Sequence, residues 1–427
     1  MIQFINNTQS GGKIIGQGTY GCIFKPGFSC DGGKDSSARY ISKLQIKRDS
    51  KEGSNEVIFG DIIQNIPNYA RYFAPIESAC DVDIQAMRKH ESDYAKCELF
   101  SKQAKSTKPM EFQTSKVRYV GEYTLEDWHI QYMDNNKPNN VTFFKKWSKN
   151  YSHLLKAMAL LSDNNILHMD LKENNIMCRD KTGMPIVIDF GLSADLSKIT
   201  EVTSDNESLY RKTFFTSAFD YSPWCFDIQL IAYLVNENIQ NQETWFDKKI
   251  TLLELENTVL QFIKYNWSGM GADDTGVFDV KDKIGYTNVL KDYVKRLHTS
   301  QSSPTRKTIV DIVIKNKTKW DTYAMNIIYL KMARDLKLNT IETSFEPMLE
   351  HIQFLKIQAM AAPDEHLDAT EMLNTFKQKK NVSQVPKRVA KRPQTFPDMG
   401  DVKTEYAKTK VTTAALEKRM IGRLLLR

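Results

Sequence analysis

The stretch "NILHMDLKENNIM" at 165–177 restricts this chain more than any other. Two apolar runs, each suited to a buried strand, are broken by Asp170, Lys172, Asn174 and Asn175. Charged and amide side chains between buried segments are costly unless each finds a partner or a ligand. A structural turn does not need that many, so the cluster reads as a site on a loop between apolar strands. Fourteen residues beyond Asn175, "MPIVIDFGLS" forms a second short apolar run that ends on Asp189.

Asp170 and Asn175 are five positions apart, and with Asp189 they offer two carboxylates and an amide on loops. Hard oxygen donors of this kind suit Mg2+, which takes one or two carboxylates together with substrate phosphates. An acid left off the metal can accept a hydroxyl proton. Each of these residues alone is more often an ordinary turn residue. Three in order, behind a glycine loop and a strand lysine, are hard to obtain by chance.

That glycine loop is "GQGTYG" (16–21), a GxGxxG pattern followed by Ile23. Glycine lets backbone N–H groups approach phosphate oxygens, although the same pattern also makes ordinary hairpins. A dinucleotide site would need a helix after the loop, and here a strand follows. "RYISKLQI" alternates around Lys43 as a further strand. "SNEVIFGDIIQNI" reads as a helix capped by Ser54, with Val57, Ile58, Ile62 and Ile63 as its buried stripe. From about residue 141 helical patterns dominate, among them "WDTYAMNIIYLKMARDL" and "EPMLEHIQFLKIQAM". Strands first and helices later predict an α+β protein in two lobes.

In their order, "GQGTYGCI", "ISK", "HMDLKENN" and "DFG" resemble the motifs of eukaryotic-type protein kinases, across roughly residues 12–376. The resemblance implies a bilobal protein-kinase-like fold, with a small β-rich N-lobe at 12–120 and a larger helical C-lobe at 121–376. It implies ATP and Mg2+ as cofactors. Gly16, Gln17, Gly18, Thr19, Tyr20, Gly21 and Ile23 would cover the nucleotide, and Lys43 would hold its α and β phosphates. Glu56 would pair with Lys43, Asp170 would take the acceptor's proton, and Asn175 and Asp189 would bind Mg2+. Lys172, two residues after Asp170, resembles the serine/threonine class, in which it faces the transferring phosphate. The implied activity is transfer of the γ-phosphate of ATP to serine or threonine hydroxyls of protein substrates. Lys25 and Lys47 are rivals to Lys43, and Glu52 is a rival to Glu56. The alternatives are a pseudokinase scaffold, which the complete set of core residues disfavours, and a small-molecule kinase of related fold, which Lys172 and the intact "DFG" disfavour.

The chain also departs from that family. Met169 stands where an arginine usually pairs with a phosphorylated activation loop, so activity is expected not to depend on such phosphorylation through this residue. The usual Ala-Pro-Glu is replaced by "YSPWCFD" (221–227), and His366 lies near the place of that glutamate's arginine partner. Both Asp227 and Asp321 are candidates to lead the central helix of the C-lobe. Asp321 fits better and makes about 228–315 an insertion. With "GTYGC" and the nearby Cys30, these departures resemble serine/threonine kinases of large DNA viruses. That likeness implies a site of action in host cytoplasm and a place in the virion.

No run of about 18 apolar residues is present, so no transmembrane helix is expected. "MIQFINNTQS" lacks the basic and apolar regions of a secretory signal. Six cysteines without a CxxC pair read as reduced, isolated thiols of a cytosol-like compartment. Net charge is +7, yet from Lys377 onward 14 Lys and Arg face 4 Asp and Glu. Residues 377–427 therefore read as a flexible basic tail that suits an acidic partner or nucleic acid.

Overall fold

The computed structural model describes residues 3–4, 13–18, 21–27, 39–47, 52–82, 96–99, 111–179, 182–236, 245–270, 277–336, 338 and 345–382. Thr19 and Tyr20 of the glycine loop, Cys30 and the tail from residue 383 lie outside these residues.

The N-terminal lobe is an antiparallel sheet built from β1 (Gln3–Phe4), β2 (Lys13–Gly18), β3 (Gly21–Lys25), β4 (Tyr40–Ile46), β6 (Ile76–Val82) and β7 (Phe112–Arg118). Its strand order is β1-β2-β3-β4-β7-β6. β2 and β3 are the two arms of the glycine hairpin, with Gly18 opposite Gly21. Gly21 is required by packing as well as by any ligand, because a Cβ there would lie 2.4 Å from the backbone oxygen of Leu44. Lys43 sits at the centre of β4, paired with Ile23 on one side and Ser115 on the other. One face of the sheet closes on Ile14, Cys22, Phe24, Leu44 and Phe112.

Helix α1 (Glu52–Gln64) covers this lobe on the side of the second lobe. It begins two residues before Ser54, so Ser54 is not its cap. Its buried face carries Glu56, Phe59 and Ile63, whereas Ile58 and Ile62 are 53% and 39% exposed. Of the expected stripe, Ile63 is buried and Val57 half-buried, while Ile58 and Ile62 fall outside the buried face. The face is chosen by Glu56 and Phe59, three apart on one side of the helix, and Ile58 and Ile62 fall on the other.

Three small strand pairings complete the strands, and the first of them joins the lobes. β5 (Phe73–Ala74) runs parallel to β10 (Pro185–Ile188), which pairs antiparallel with β9 (Ile176–Cys178). β8 (Ile166–Leu167) pairs with β11 (Ala194–Asp195). These short strands hold the loops at 168–175 and 189–193 side by side.

The C-terminal lobe is helical. α2 (Leu125–Asn136) starts at a capping box of Thr124 and Asp127, and α3 (Asn140–Asp163) starts at Asn139, whose side chain accepts from the backbone of Thr142. α3 buries Trp147, Tyr151, Leu154, Leu155, Met158 and Leu161 at helical spacing. α4 (Glu207–Thr213), α5 (Phe226–Asn236), α6 (Leu252–Gly269), α7 (Val280–Thr299) and α8 (Arg306–Val313) follow. α9 (Trp320–Asp335) is buried from Trp320 through Leu330 without interruption, as a helix surrounded on every side must be. α10 (Glu346–Ala359) and α11 (Ala369–Val382) close the lobe, α11 running six residues into the stretch read as tail. Leu230, Phe262, Leu290 and Ile309 belong to the same core as α3 and α9.

The cysteines depart from expectation. Cys22 and Cys97 form a disulfide across 75 positions, and Cys80 is disulfide-bonded as well; Cys178 and Cys225 are free and buried. Six isolated thiols was the wrong reading because partners in a sheet edge need no closeness in sequence. No helix among the described residues is long and apolar enough to cross a membrane. The α+β, two-lobed, kinase-like architecture expected from the sequence is the one observed.

Candidate active site

The loop after β8 is fixed from below by α9. Asp321 accepts the backbone N–H of His168 at 2.7 Å and of Met169 at 3.1 Å. Between the two candidates for this anchoring place, Asp321 holds the loop. Asp227 instead sits in a separate buried cluster, accepting from Tyr293, Asn316 and Trp320. The bonds from Asp321 hold Met169 at φ 60, in the left-handed region that non-glycine residues rarely adopt. Trp224 Nε1 donates to the Met169 carbonyl at 2.7 Å and locks the other end of that residue. The Met169 side chain is itself buried in the core.

His168 is a fully buried structural residue. Its Nδ1 accepts from the backbone of Asp170, which assigns the Nε2–H tautomer and a bond to the Ile188 carbonyl at 3.0 Å. This bond ties the loop to β10, and the ring lies 4.9 Å from that of Phe190.

With the backbone fixed, the polar side chains converge. Lys172 Nζ meets both oxygens of Asp170 at 2.9 Å. Asn175, in a 3-10 turn over Glu173–Asn175, donates to Asp170 Oδ2 at 2.9 Å and to the Asp170 carbonyl at 2.8 Å. The Tyr221 hydroxyl donates to Asp170 Oδ1.

Across the cleft, Lys43 Nζ lies 3.0 and 2.9 Å from the two oxygens of Glu56 and 3.7 Å from Asp189 Oδ1. Burial works against the charge on Lys43, but Asp189 and Glu56 outweigh it and raise its pKa. Lys43 in turn is the main cause of a lowered pKa at Asp189, against the opposing effect of burial. Burial pushes Glu56 upward while the ammonium at 2.9 Å pulls it down; beside a firmly charged lysine the pair is an ion pair. Lys25 and Lys47 are not rivals after all. Lys25 stacks its ammonium 3.2 Å over Tyr119, and Lys47 pairs with Asp81 at 2.6 Å. Glu52 opens α1 one turn before Glu56.

Asn55 Nδ2 donates to the carbonyls of Gly191 and Ser193, each at 2.9 Å, which ties α1 to the turn after Asp189. Asp189 adopts φ 63. Gly16, Gln17 and Gly18 on β2, with Gly21 and Ile23 on β3, form the strands of the glycine hairpin. The Gln17 side-chain carbonyl accepts from the backbone of Glu98 at 3.2 Å.

The segment from 194 to 213 is held largely through its backbone. Lys317 donates to the carbonyls of Leu196 and Ile199, Asp311 accepts from the backbone of Val202 at 2.7 Å, and the Tyr210 hydroxyl donates to the Thr200 carbonyl. His366 is buried, stacks on Tyr323 at 5.4 Å and bonds the Ala361 carbonyl; burial pushes its pKa down to about 4. It is thus a neutral packing residue rather than half of an ion pair.

Tyr221, Trp224, Asn55 and Lys317 were not singled out from the sequence. Each reaches its partner across tens of residues, and no local spacing signals such contacts.

This geometry is that of a protein-kinase-type site. Residues 110–219, spanning the loop at 168–175 and Asp189, match the protein kinase domain family. The chain is also similar to the serine/threonine-protein kinase fused of Drosophila melanogaster, at 26% identity over 190 residues, or 44% of this chain. It spans 18% of that relative's length. Both likenesses are to protein kinases, and they agree with the two-lobed fold and with the layout of the site.

Proposed function

We propose that the protein transfers the γ-phosphate of ATP to serine or threonine hydroxyls of protein substrates. The observation that carries this reading is the pair of facing clusters, Lys43 with Glu56 and Asp189, and Asp170 with Lys172 and Asn175. In the transfer, the acceptor oxygen bonds to the γ-phosphorus, the bond from that phosphorus to the β–γ bridging oxygen breaks, and ADP leaves. Asp170 orients the acceptor hydroxyl and receives its proton. Lys43 holds the α and β phosphates, kept in place by Glu56. Lys172 turns its ammonium toward the transferring phosphate, where charge accumulates.

The donor set also fits Mg2+. Asn175 Nδ2 donates twice to Asp170, and among the described residues no protein donor bonds the Asn175 amide oxygen. Asp189 is kept ionised by Lys43. Amide and carboxylate oxygens are the hard ligands Mg2+ prefers, and the ion would neutralise charge on the β and γ phosphates. Asn175 and Asp189 are the residues assigned to hold it. The reading extends to a kinase of the large-DNA-virus type acting in host cytoplasm, with the basic tail contacting acidic partners or nucleic acid.

The test is label transfer from γ-labelled ATP with Mg2+ to a generic protein acceptor, followed by amino-acid analysis. Label on serine or threonine is expected in the wild type, with a loss of about a hundredfold or more in Asp170→Asn and Asp189→Asn. Nucleotide bound by the wild type without any transfer would refute the reading.

A further inference from the structure

A carboxylate offers about four lone-pair positions for donors. On Asp170 all four are taken. Oδ1 accepts from Tyr221 and Lys172, and Oδ2 accepts from Lys172 and Asn175. An acceptor hydroxyl can reach this carboxylate only if one donor leaves, and the surroundings of the three decide which.

Asn175 is almost fully buried and is also bonded to the Asp170 carbonyl, so it stays. Tyr221 is fixed on both sides. Its N–H donates to the Ala218 carbonyl at 2.8 Å, and Gln229 accepts from the Ala218 N–H at 3.2 Å. Ser222 accepts from Lys331 at 2.8 Å, and Lys331 is paired with Glu173 of the catalytic turn at 2.9 Å. Trp224 packs edge-on to the Tyr221 ring at 5.3 Å while bonding the Met169 carbonyl. Burial, and then the Asp170 carboxylate, raise the Tyr221 phenol well above its ordinary range, so it stays a donor. Lys172 has a side chain 31% exposed, and among the described residues its hydrogen bonds are the two to Asp170. Lys172 is the donor that leaves, toward phosphate, and it vacates one position on each oxygen.

We propose that Tyr221 is a positioning and specificity-determining residue of the transfer site: its hydroxyl fixes Asp170, and its ring walls the acceptor's seat so that only a short aliphatic hydroxyl enters. This rests on the kinase reading above. The ring stands beside the carboxylate with Lys172 Nζ 5.7 Å from its centroid. A tyrosine acceptor would need room for a second ring at the same carboxylate. A serine or threonine needs only the lone pair that Lys172 gives up.

The test compares full-length wild type, Tyr221→Phe and Tyr221→Ala on three peptides that differ only in a serine, threonine or tyrosine acceptor. Tyr221→Phe keeps the wall and loses the donor. Its kcat is expected to fall about tenfold or more, the kinetic equivalent of one hydrogen bond to a charged group, with KM for ATP and peptide and the melting temperature unchanged. A merely structural tyrosine would move the last two instead. Tyr221→Ala is expected to gain transfer to the tyrosine peptide. A Tyr221→Phe kcat within about twofold of wild type would overturn the positioning role. Continued rejection of the tyrosine peptide by Tyr221→Ala, or by the ring-less Tyr221→Leu where the alanine variant does not fold, would overturn the specificity role. A wild type that transfers to none of the peptides overturns the kinase reading and this inference together.

Discussion

Replacing Asp321 by Asn keeps the shape of the side chain and removes its charge. The carboxylate now takes two backbone N–H groups, from His168 at 2.7 Å and Met169 at 3.1 Å. An amide oxygen can keep one of them, and its NH2 then faces the other, two donors without an acceptor. The loss is one charge-assisted bond, about 1.5–3 kcal/mol, plus one stranded buried donor, about 1–3 kcal/mol. Burial raises the pKa of Asp321, so removing the charge returns part of that sum and leaves a net cost of about 2–4 kcal/mol. The loss falls on a residue that resists its own conformation, because the left-handed backbone of Met169 costs about 1–2 kcal/mol. Freed of its anchor, the loop relaxes and carries Asp170 with it, and a shift of about 1 Å at a reacting group lowers the rate about a hundredfold. Nucleotide affinity, which the proposed function places chiefly on Lys43 in the other lobe, is expected to stay. Urea unfolding, hydrogen exchange at the His168 and Met169 amides, and phosphate transfer read the three consequences. An Asp321→Asn protein with wild-type exchange at both amides and wild-type kcat would refute the anchoring argument.

Three further predictions follow from other parts of the structure. Replacing every Ser and Thr between 192 and 217 by Ala is expected to leave most activity, since Lys317 and Asp311 hold that segment through its backbone and Met169 is buried; a collapse of phosphate transfer would contradict this. Burial pushes the Asp227 carboxyl up to about 7, above its unfolded value, so its contribution to stability is full below about pH 4 and is lost as pH rises through 7. Asp227→Asn should therefore flatten the fall in stability between pH 5 and 8 by about 2–4 kcal/mol, read as denaturant midpoints, and an unchanged slope would count against the buried acid. Cys22 and Cys97 close a span of 75 positions, which chain entropy values at about 4 kcal/mol, so the double alanine variant should unfold at clearly lower urea; thiol labelling of both cysteines in the unreduced wild type would count against the bridge.

What could be read from the sequence was the part of the site that is local. Asp170, Lys172 and Asn175 lie within one turn of chain, and that spacing alone brings their side chains together. Lys43 and Glu56 were legible because a strand and the next helix bring a lysine and an acid thirteen residues apart into contact. The remaining contacts span 51 residues for Tyr221 and Asp170, 136 and 138 for Asn55, and 152 and 153 for Asp321. Such contacts depend on how helices pack, which local pattern does not encode. The α1 stripe failed at Ile58 and Ile62 for a related reason. Apolar residues lie on both sides of that helix, and only the ion pair made by Glu56 says which side faces in.

Asn55 gives the site a mechanical property. Its two bonds to the carbonyls of Gly191 and Ser193 make α1 and the turn after Asp189 a single linkage. Glu56, the next residue, cannot swing away from Lys43 while that turn stays behind unless both amide bonds break, at about 1 kcal/mol each. Asp189 likewise cannot turn out without pulling on the helix. The Lys43–Glu56 pair and the Asp189 carboxylate, the groups proposed to hold the nucleotide phosphates and the metal, therefore engage or release as one lever, and the two half-engaged arrangements are disfavoured by the same pair of bonds.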